Sequence, residues 1–171
     1  MRLFIAIELP GTLKDQVARL KTDIPDTVWT KRETYHLTLR FLGDYVAESR
    51  VFELKAALSE IHAHAFDVTL SGVGRFPPGT KKPAHVLWVG IAPTPPLLAL
   101  YRAIEKTVTS LQFPADDHAF NPHITLARLK HFKPEPSVEA FLTRNTNFRT
   151  ESFPVEAFHL FSSTLTEQGA R

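Results

Sequence analysis

The sequence has no cysteine, and none of its 171 residues falls in an apolar run long enough to cross a membrane as a helix. Without cysteine there is no disulfide, no thiolate nucleophile and no cysteine-based zinc site. A membrane helix needs roughly 20 apolar residues. The N-terminal run Leu3 to Ile7 is stopped at once by Glu8 and Pro10, which also makes it too short for a signal-peptide core. Low-complexity segments and linker-like stretches are missing. Histidine spacings that suit a metal are missing as well: His62 and His64, two apart on a predicted helix, point to different faces, and His85, His118, His131 and His159 show no ligand pattern. Neither sign of charge is in large excess, with a formal net charge of +2 and a pI of about 9.0. A mildly basic surface suits an anionic partner without demanding one. A cytoplasmic, monomeric protein without membrane contact is the expectation.

What is present is ordinary for a folded chain: 43% hydrophobic and 22% charged residues, in a length that buries a substantial core. "RLFIAIEL" reads as a strand. "GTLKDQVARLKTDI" reads as a helix with Leu13, Val17 and Leu20 on one side and Thr12 with Asp15 as a capping pair. "TVWTKR" and "YHLTLRFLG" read as strands, and "AESRVFELKAALSEIHAHA" as a helix striped by Val51, Leu54, Leu58 and Ile61. "FDVTLSGVGRF", "AHVLWVGI", "HITLARL" and "VEAFHLFSSTL" are further strand candidates. "PPLLALYRAIEKTVTSLQ" and "SVEAFLTR" are helices, with the prolines at 93–96 and 134–136 as helix entries. Adjacent strand pairs joined by short loops argue for an α+β fold with mainly antiparallel sheet.

Two stretches share a pattern: His36-Leu37-Thr38-Leu39 and His123-Ile124-Thr125-Leu126. On a strand, period two puts His36 and Thr38 on one face and Leu37 and Leu39 on the other; His123 and Thr125 separate likewise from Ile124 and Leu126. With 8 His and 17 Thr in the chain, His-apolar-Thr-apolar arises by chance about 0.15 times, so two copies are expected in about one such chain per hundred. Histidine moves protons near neutral pH. A pair of imidazoles across a phosphate can deprotonate water on one side of phosphorus and protonate a departing ribose oxygen on the other. Each threonine hydroxyl can donate to a non-bridging oxygen. The scheme requires no metal and no cofactor.

At these residues the chain resembles the 2H phosphoesterase superfamily, named for its two His-x-Thr-x motifs. Within that superfamily it is most similar to the bacterial and archaeal RNA 2′,3′-cyclic phosphodiesterases, also called 2′-5′ RNA ligases. The likeness runs through "RLFIAIELP", "HLTLRFLGD", "GRFP" with "HVLWVG", "FNPHITLARL" and "FHLFSSTLTEQGAR". It implies one domain over 1–171, built as a bilobal pseudo-two-fold arrangement of two mainly antiparallel sheets flanking a central cleft. Helices lie outside, and each lobe contributes one motif. It implies opening of an RNA 2′,3′-cyclic phosphate to a 2′-phosphate, with reversible ligation as the reverse transesterification and no nucleotide cofactor. His36 matches the proton donor, His123 the proton acceptor, and Thr38 and Thr125 the phosphate-binding threonines. Arg128 matches a basic position after the second motif, but strict alternation puts it opposite Thr125; a role there needs a bulge or strand end at Ala127. The family pattern continues past "GAR" with an aromatic residue and a last strand, whereas this sequence stops at Arg171: either the sequence is short there or an edge strand is missing.

Other readings stay open: the same chemistry on a small cyclic nucleotide, an ADP-ribose cyclic phosphate or an oligoadenylate, or an RNA-end binder without turnover. Arg40 is expected as a solvated strand residue. Arg75, Lys81 and Lys82 in "GRFPPGTKKP" are expected in a solvated loop with Phe76 as a core aromatic, and Trp29 and Trp88 in the core.

Overall fold

Leu3 to Ile7 are all buried, so the first strand has no solvent face and belongs inside a sheet. The computed structural model describes residues 1–166, 169 and 170. Its elements in chain order are β1 (Arg2–Glu8), α1 (Gly11–Ala18), β2 (Thr27–Trp29), β3 (His36–Gly43), α2 (Val51–Ser59), β4 (Phe66–Val68), β5 (Leu70–Phe76), β6 (Val86–Ile91), α3 (Pro95–Ser110), β7 (His123–Leu129), α4 (Pro136–Arg144), β8 (Phe153–Val155), β9 (His159–Ser163), β10 (Leu165–Thr166) and β11 (Gly169–Ala170).

Two antiparallel sheets carry the molecule, in the orders β3-β1-β9 and β2-β7-β6-β5, with small pairs β4-β8 and β10-β11 beside them. This is the α+β, two-sheet architecture expected from the sequence. The sheets are not the two halves of the chain. β2 lies between β1 and β3 in sequence but joins the second sheet, and β9 returns from the C-terminal end to complete the first. One motif strand sits in each sheet, and β3 comes within 8 Å of β7, Cα to Cα.

The helices form where apolar spacing meets a suitable start. Leu97, Leu100, Ile104 and Val108 are the buried stripe of α3, which packs on β3 and α2. Pro95 and Pro96 open α3 and Pro136 opens α4, as expected of prolines whose missing N–H costs nothing in a first helical turn. Several local expectations are revised. Pro10, not Thr12, occupies the N-cap position of α1, without a side-chain capping bond, and Asp15 pairs with Arg32 at 2.5 Å. The second helix ends at Ser59, leaving His62 and His64 exposed in irregular chain. "FDVTLSGVGRF" divides at Thr69 into β4 and β5 because the two parts pair with different strands, β8 and β6. "VEAFHLFSSTL" divides likewise into β8 and β9. The expectation about a strand beyond Arg171 lies outside the described residues.

Candidate active site

Each motif begins its strand, and burial alternates as period two requires. Leu37 and Leu39 are buried while His36 and Thr38 are half-buried; Ile124 and Leu126 are buried while His123 and Thr125 are half-buried. The apolar members lie in one continuous core cluster that includes Ile104 of α3 and Leu87 and Val89 of β6. That anchoring fixes where the polar members point. Both imidazoles are then locked in the same way. His36 Nδ1 lies 2.6 Å from the Thr34 carbonyl, and His123 Nδ1 lies 2.6 Å from the Asn121 carbonyl. A carbonyl only accepts, so Nδ1 carries the proton in both rings and Nε2 is left for other chemistry. Local sequence supplies both carbonyls. Thr34 closes a 3₁₀ turn at Arg32–Thr34, and Asn121 precedes Pro122, which disfavours helical backbone at Asn121.

The motif strands also share an irregularity. Along β1, Ala6 pairs with Thr38 and Ile5 with Arg40, so Leu39 is an extra residue in β3. Along β6, Trp88 pairs with Thr125 and Leu87 with Ala127, so Leu126 is an extra residue in β7. Both bulges fall three residues after the motif histidine. A bulge of one residue reverses the alternation beyond it. Phe41 therefore returns to the face of His36 and Thr38, and Arg128 to the face of His123 and Thr125. Burial agrees with the reversal: Ala127 and Leu129 are buried and Arg128 is exposed.

Between the sheets lies a cavity of about 340 Å³. Phe4, His36, Thr38, Phe41 and Phe161 line it from the first sheet, and Val28, Trp29, Thr125 and Arg128 from the second. His123 is not part of this lining. Its ring stands two residues before Thr125 on the same strand face, edge-on to Phe76 at 5.2 Å and 6.2 Å from Trp88. A Cβ on Gly74 would lie 2.1 Å from Trp88 Cζ2, so glycine there is what lets the indole lie over β5 beside His123. His36 is backed symmetrically by stacked Phe4 at 4.7 Å, with Phe161 behind it. The Thr38 and Thr125 hydroxyls have no hydrogen-bond partner among the described residues, so both are available to a ligand. Burial holds the His36 pKa below the usual histidine value; the Thr34 carbonyl opposes that shift, and the Arg2 and Lys14 charges add to it. Among the described residues no group of three His, Asp or Glu side chains is placed to hold a metal ion. A second hollow, about 370 Å³ between α2 and the β8–β9 connection, is mostly apolar and contains neither motif.

The profile of the 2′-5′ RNA ligase superfamily matches residues 9–167, nearly the whole chain. The chain belongs to that superfamily. Curated relatives named RNA 2′,3′-cyclic phosphodiesterase include one from Aeropyrum pernix, 32% identical and covering 92% of this chain and 86% of that protein. Another, from Thermotoga maritima, is 30% identical and covers 99% of this chain and 90% of that protein. Among solved structures, Escherichia coli LigT complexed with 3′-AMP superposes with a TM-score of 0.78 at 26% identity, covering 99% of this chain and 92% of that one.

For this superfamily member, the structure brings His36, Thr38, Thr125 and Arg128 to one cavity and leaves His123 on the adjoining stretch of the same face. Phe41, Phe4, Phe161 and Arg2 also meet the cavity, and sequence reasoning missed them as site residues. The available signal for Phe41 was its place five residues after His36, the same step that separates Arg128 from His123. Two arginines with tempting positions are occupied elsewhere. Arg40 is not solvated: it bonds Glu105 of α3 at 3.0 Å and donates to the Phe41 and Pro114 carbonyls. Arg75 is buried, paired with Glu139 of α4 at 3.0 Å, and it ties down the 77–82 loop through the Pro77 and Lys82 carbonyls. Trp29 and Trp88 are half-buried, Trp29 at the cavity wall and Trp88 beside His123, so neither is simply core.

Proposed function

We propose that this chain hydrolyses RNA 2′,3′-cyclic phosphate ends to 2′-phosphomonoesters without a metal, as one domain whose two sheets each lend a motif. The observation that carries the reading is the matched pair of imidazoles, one per sheet, each with Nδ1–H held by a backbone carbonyl and Nε2 unengaged. His123 Nε2 takes a proton from water as its oxygen attacks phosphorus. The bond from phosphorus to the 3′ oxygen breaks, and His36 Nε2–H protonates that oxygen. Thr38 and Thr125 donate hydrogen bonds to the non-bridging oxygens, and the Arg128 guanidinium offsets their charge. With a 5′-hydroxyl in place of water as the nucleophile, the same groups serve 2′-5′ ligation: His123 takes the hydroxyl proton, the bond from phosphorus to the 3′ oxygen breaks, and His36 protonates that oxygen. The exposed flank of Phe41 offers the ribonucleotide's base an aromatic face.

The test is an RNA oligomer ending in 2′,3′-cyclic phosphate, incubated with excess chelator and wild type, His36→Ala or His123→Ala. Wild type is expected to produce a 2′-phosphate end, and each variant to lose at least about 10²-fold in kcat. Activity abolished by chelator overturns the metal-free scheme. Unimpaired turnover in either variant removes that histidine from the chemistry.

A further inference from the structure

The two motif strands end alike in shape and opposite in charge. Nine residues beyond each motif histidine stands an aromatic residue, Tyr45 after His36 and Phe132 after His123, 97% and 98% exposed respectively. A phenyl ring left wholly in water forgoes the apolar burial that stabilises most of its kind. Tyr45 lies in the acidic segment Gly43-Asp44-Tyr45-Val46-Ala47-Glu48, where Asp44 is engaged by Arg2 at 3.2 Å. Phe132 lies in Lys130-His131-Phe132-Lys133, a basic one.

The basic segment also continues the working face of β7. Past the bulge at Leu126, exposed Arg128 and Lys130 alternate with buried Leu129, so cations extend the line of His123 and Thr125 toward Phe132. Arg128 and Lys130 are about 6.6 Å apart along the strand. Among the described residues no carboxylate lies within 4 Å of Arg128, Lys130 or Lys133. The segment is pinned in place: the Lys130 N–H donates to the Asp26 carbonyl at 2.9 Å, and His131 Nε2 lies 2.6 Å from the Pro25 carbonyl. An unburied aromatic ring held between two unpaired lysines on an anchored loop is a stacking platform for single-stranded nucleic acid.

We infer that the body of an RNA substrate longer than one nucleotide runs along the outer end of β7. Arg128 holds the terminal phosphate, Lys130 and Lys133 meet phosphates further along the strand, and Phe132 stacks on a base. The matching end of β3 is excluded by its acidic residues, which repel phosphate. This inference rests on the activity proposed above and makes the preferred substrate an oligomer, not a cyclic mononucleotide.

The experiment compares kcat/KM on an RNA of about ten nucleotides ending in 2′,3′-cyclic phosphate with kcat/KM on a 2′,3′-cyclic mononucleotide. Phe132→Ala is expected to lower the oligomer-to-mononucleotide ratio about tenfold. Lys130→Gln combined with Lys133→Gln is expected to lower the ratio and flatten the salt dependence of oligomer turnover. Tyr45→Ala leaves the ratio where it is. A ratio untouched by the Phe132 and lysine variants, or lowered equally by Tyr45→Ala, overturns the docking surface. Fluorescence anisotropy with an oligomer ending in 2′-phosphate separates this inference from the activity. If wild type turns over neither substrate but binding weakens in Phe132→Ala, the activity fails and the surface stands. Turnover with binding indifferent to Phe132 gives the reverse.

Discussion

His36 works under two opposing influences. Burial and the charges of Arg2 and Lys14 push its proton off, while the Thr34 carbonyl steadies Nδ1–H. The balance holds its pKa below the ordinary value of about 6.5, so in the free protein the ring is mainly neutral at pH 7. In its proposed role of proton donor His36 must be protonated, so activity through it is expected to fall as pH rises past its pKa. The alkaline limb of kcat/KM, which reports the free enzyme, is therefore expected below about pH 6.5, while that of kcat moves upward because the bound phosphate anion favours the imidazolium. Arg2→Met removes one depressing charge and should shift the alkaline limb of kcat/KM upward. If the acidic limb moves instead, His36 is the proton acceptor and the two histidine roles are exchanged. The identities of His36, Thr38, His123 and Thr125 were legible as a repeated tetrapeptide with period-two faces. The pKa direction was not, because it rests first on burial, which tertiary packing sets, with the charges of Arg2 and Lys14, distant in sequence and near in space, adding to it.

At the scale of the strand, the bulges at Leu39 and Leu126 decide which side chains line the cleft beyond each motif. A regular β7 would turn Arg128 toward the core with Leu126 and send Ala127 into the cleft; the extra residue restores Arg128 to the side of Thr125. Arg128→Gln is expected to lower kcat/KM about 10- to 100-fold, the worth of a hydrogen bond to a charged group. The midpoint of thermal unfolding should hold, because the side chain is exposed. Full activity in that variant would leave the bulge without catalytic consequence. Period-two reading could state that Arg128 needs a bulge, but not that one exists, since register is set by pairing with β6. The same reversal explains why Arg40, which alternation alone aligns with His36, is turned to Glu105 on α3 while Phe41 takes the cleft.

The whole molecule is interleaved. Leu37 and Leu39 of β3, Ile124 and Leu126 of β7, and Ile104 of α3 lie in one cluster shared by both sheets. The sheets are therefore expected to unfold together, with far-UV circular dichroism and the fluorescence of Trp29 and Trp88, both in the second sheet, giving coincident transitions. Leu37→Ala, at a fully buried position, should cost about 2–5 kcal/mol by denaturant titration. Two separate transitions would mean that the shared core does not couple the sheets. By itself the sequence determined the local grammar: the proline entries of α3 and α4, the anchoring Leu37 and Ile124, and the polar His and Thr beside them. These arise from periodicity and backbone chemistry within a few residues. Only the tertiary structure decided that β2 and β9 exchange sheets, that Arg75 is spent on Glu139, and that Phe41 and Arg128 reach one cavity. Those outcomes depend on which strands pair and where an extra residue is accommodated, and pairing is a contest among segments far apart in the chain.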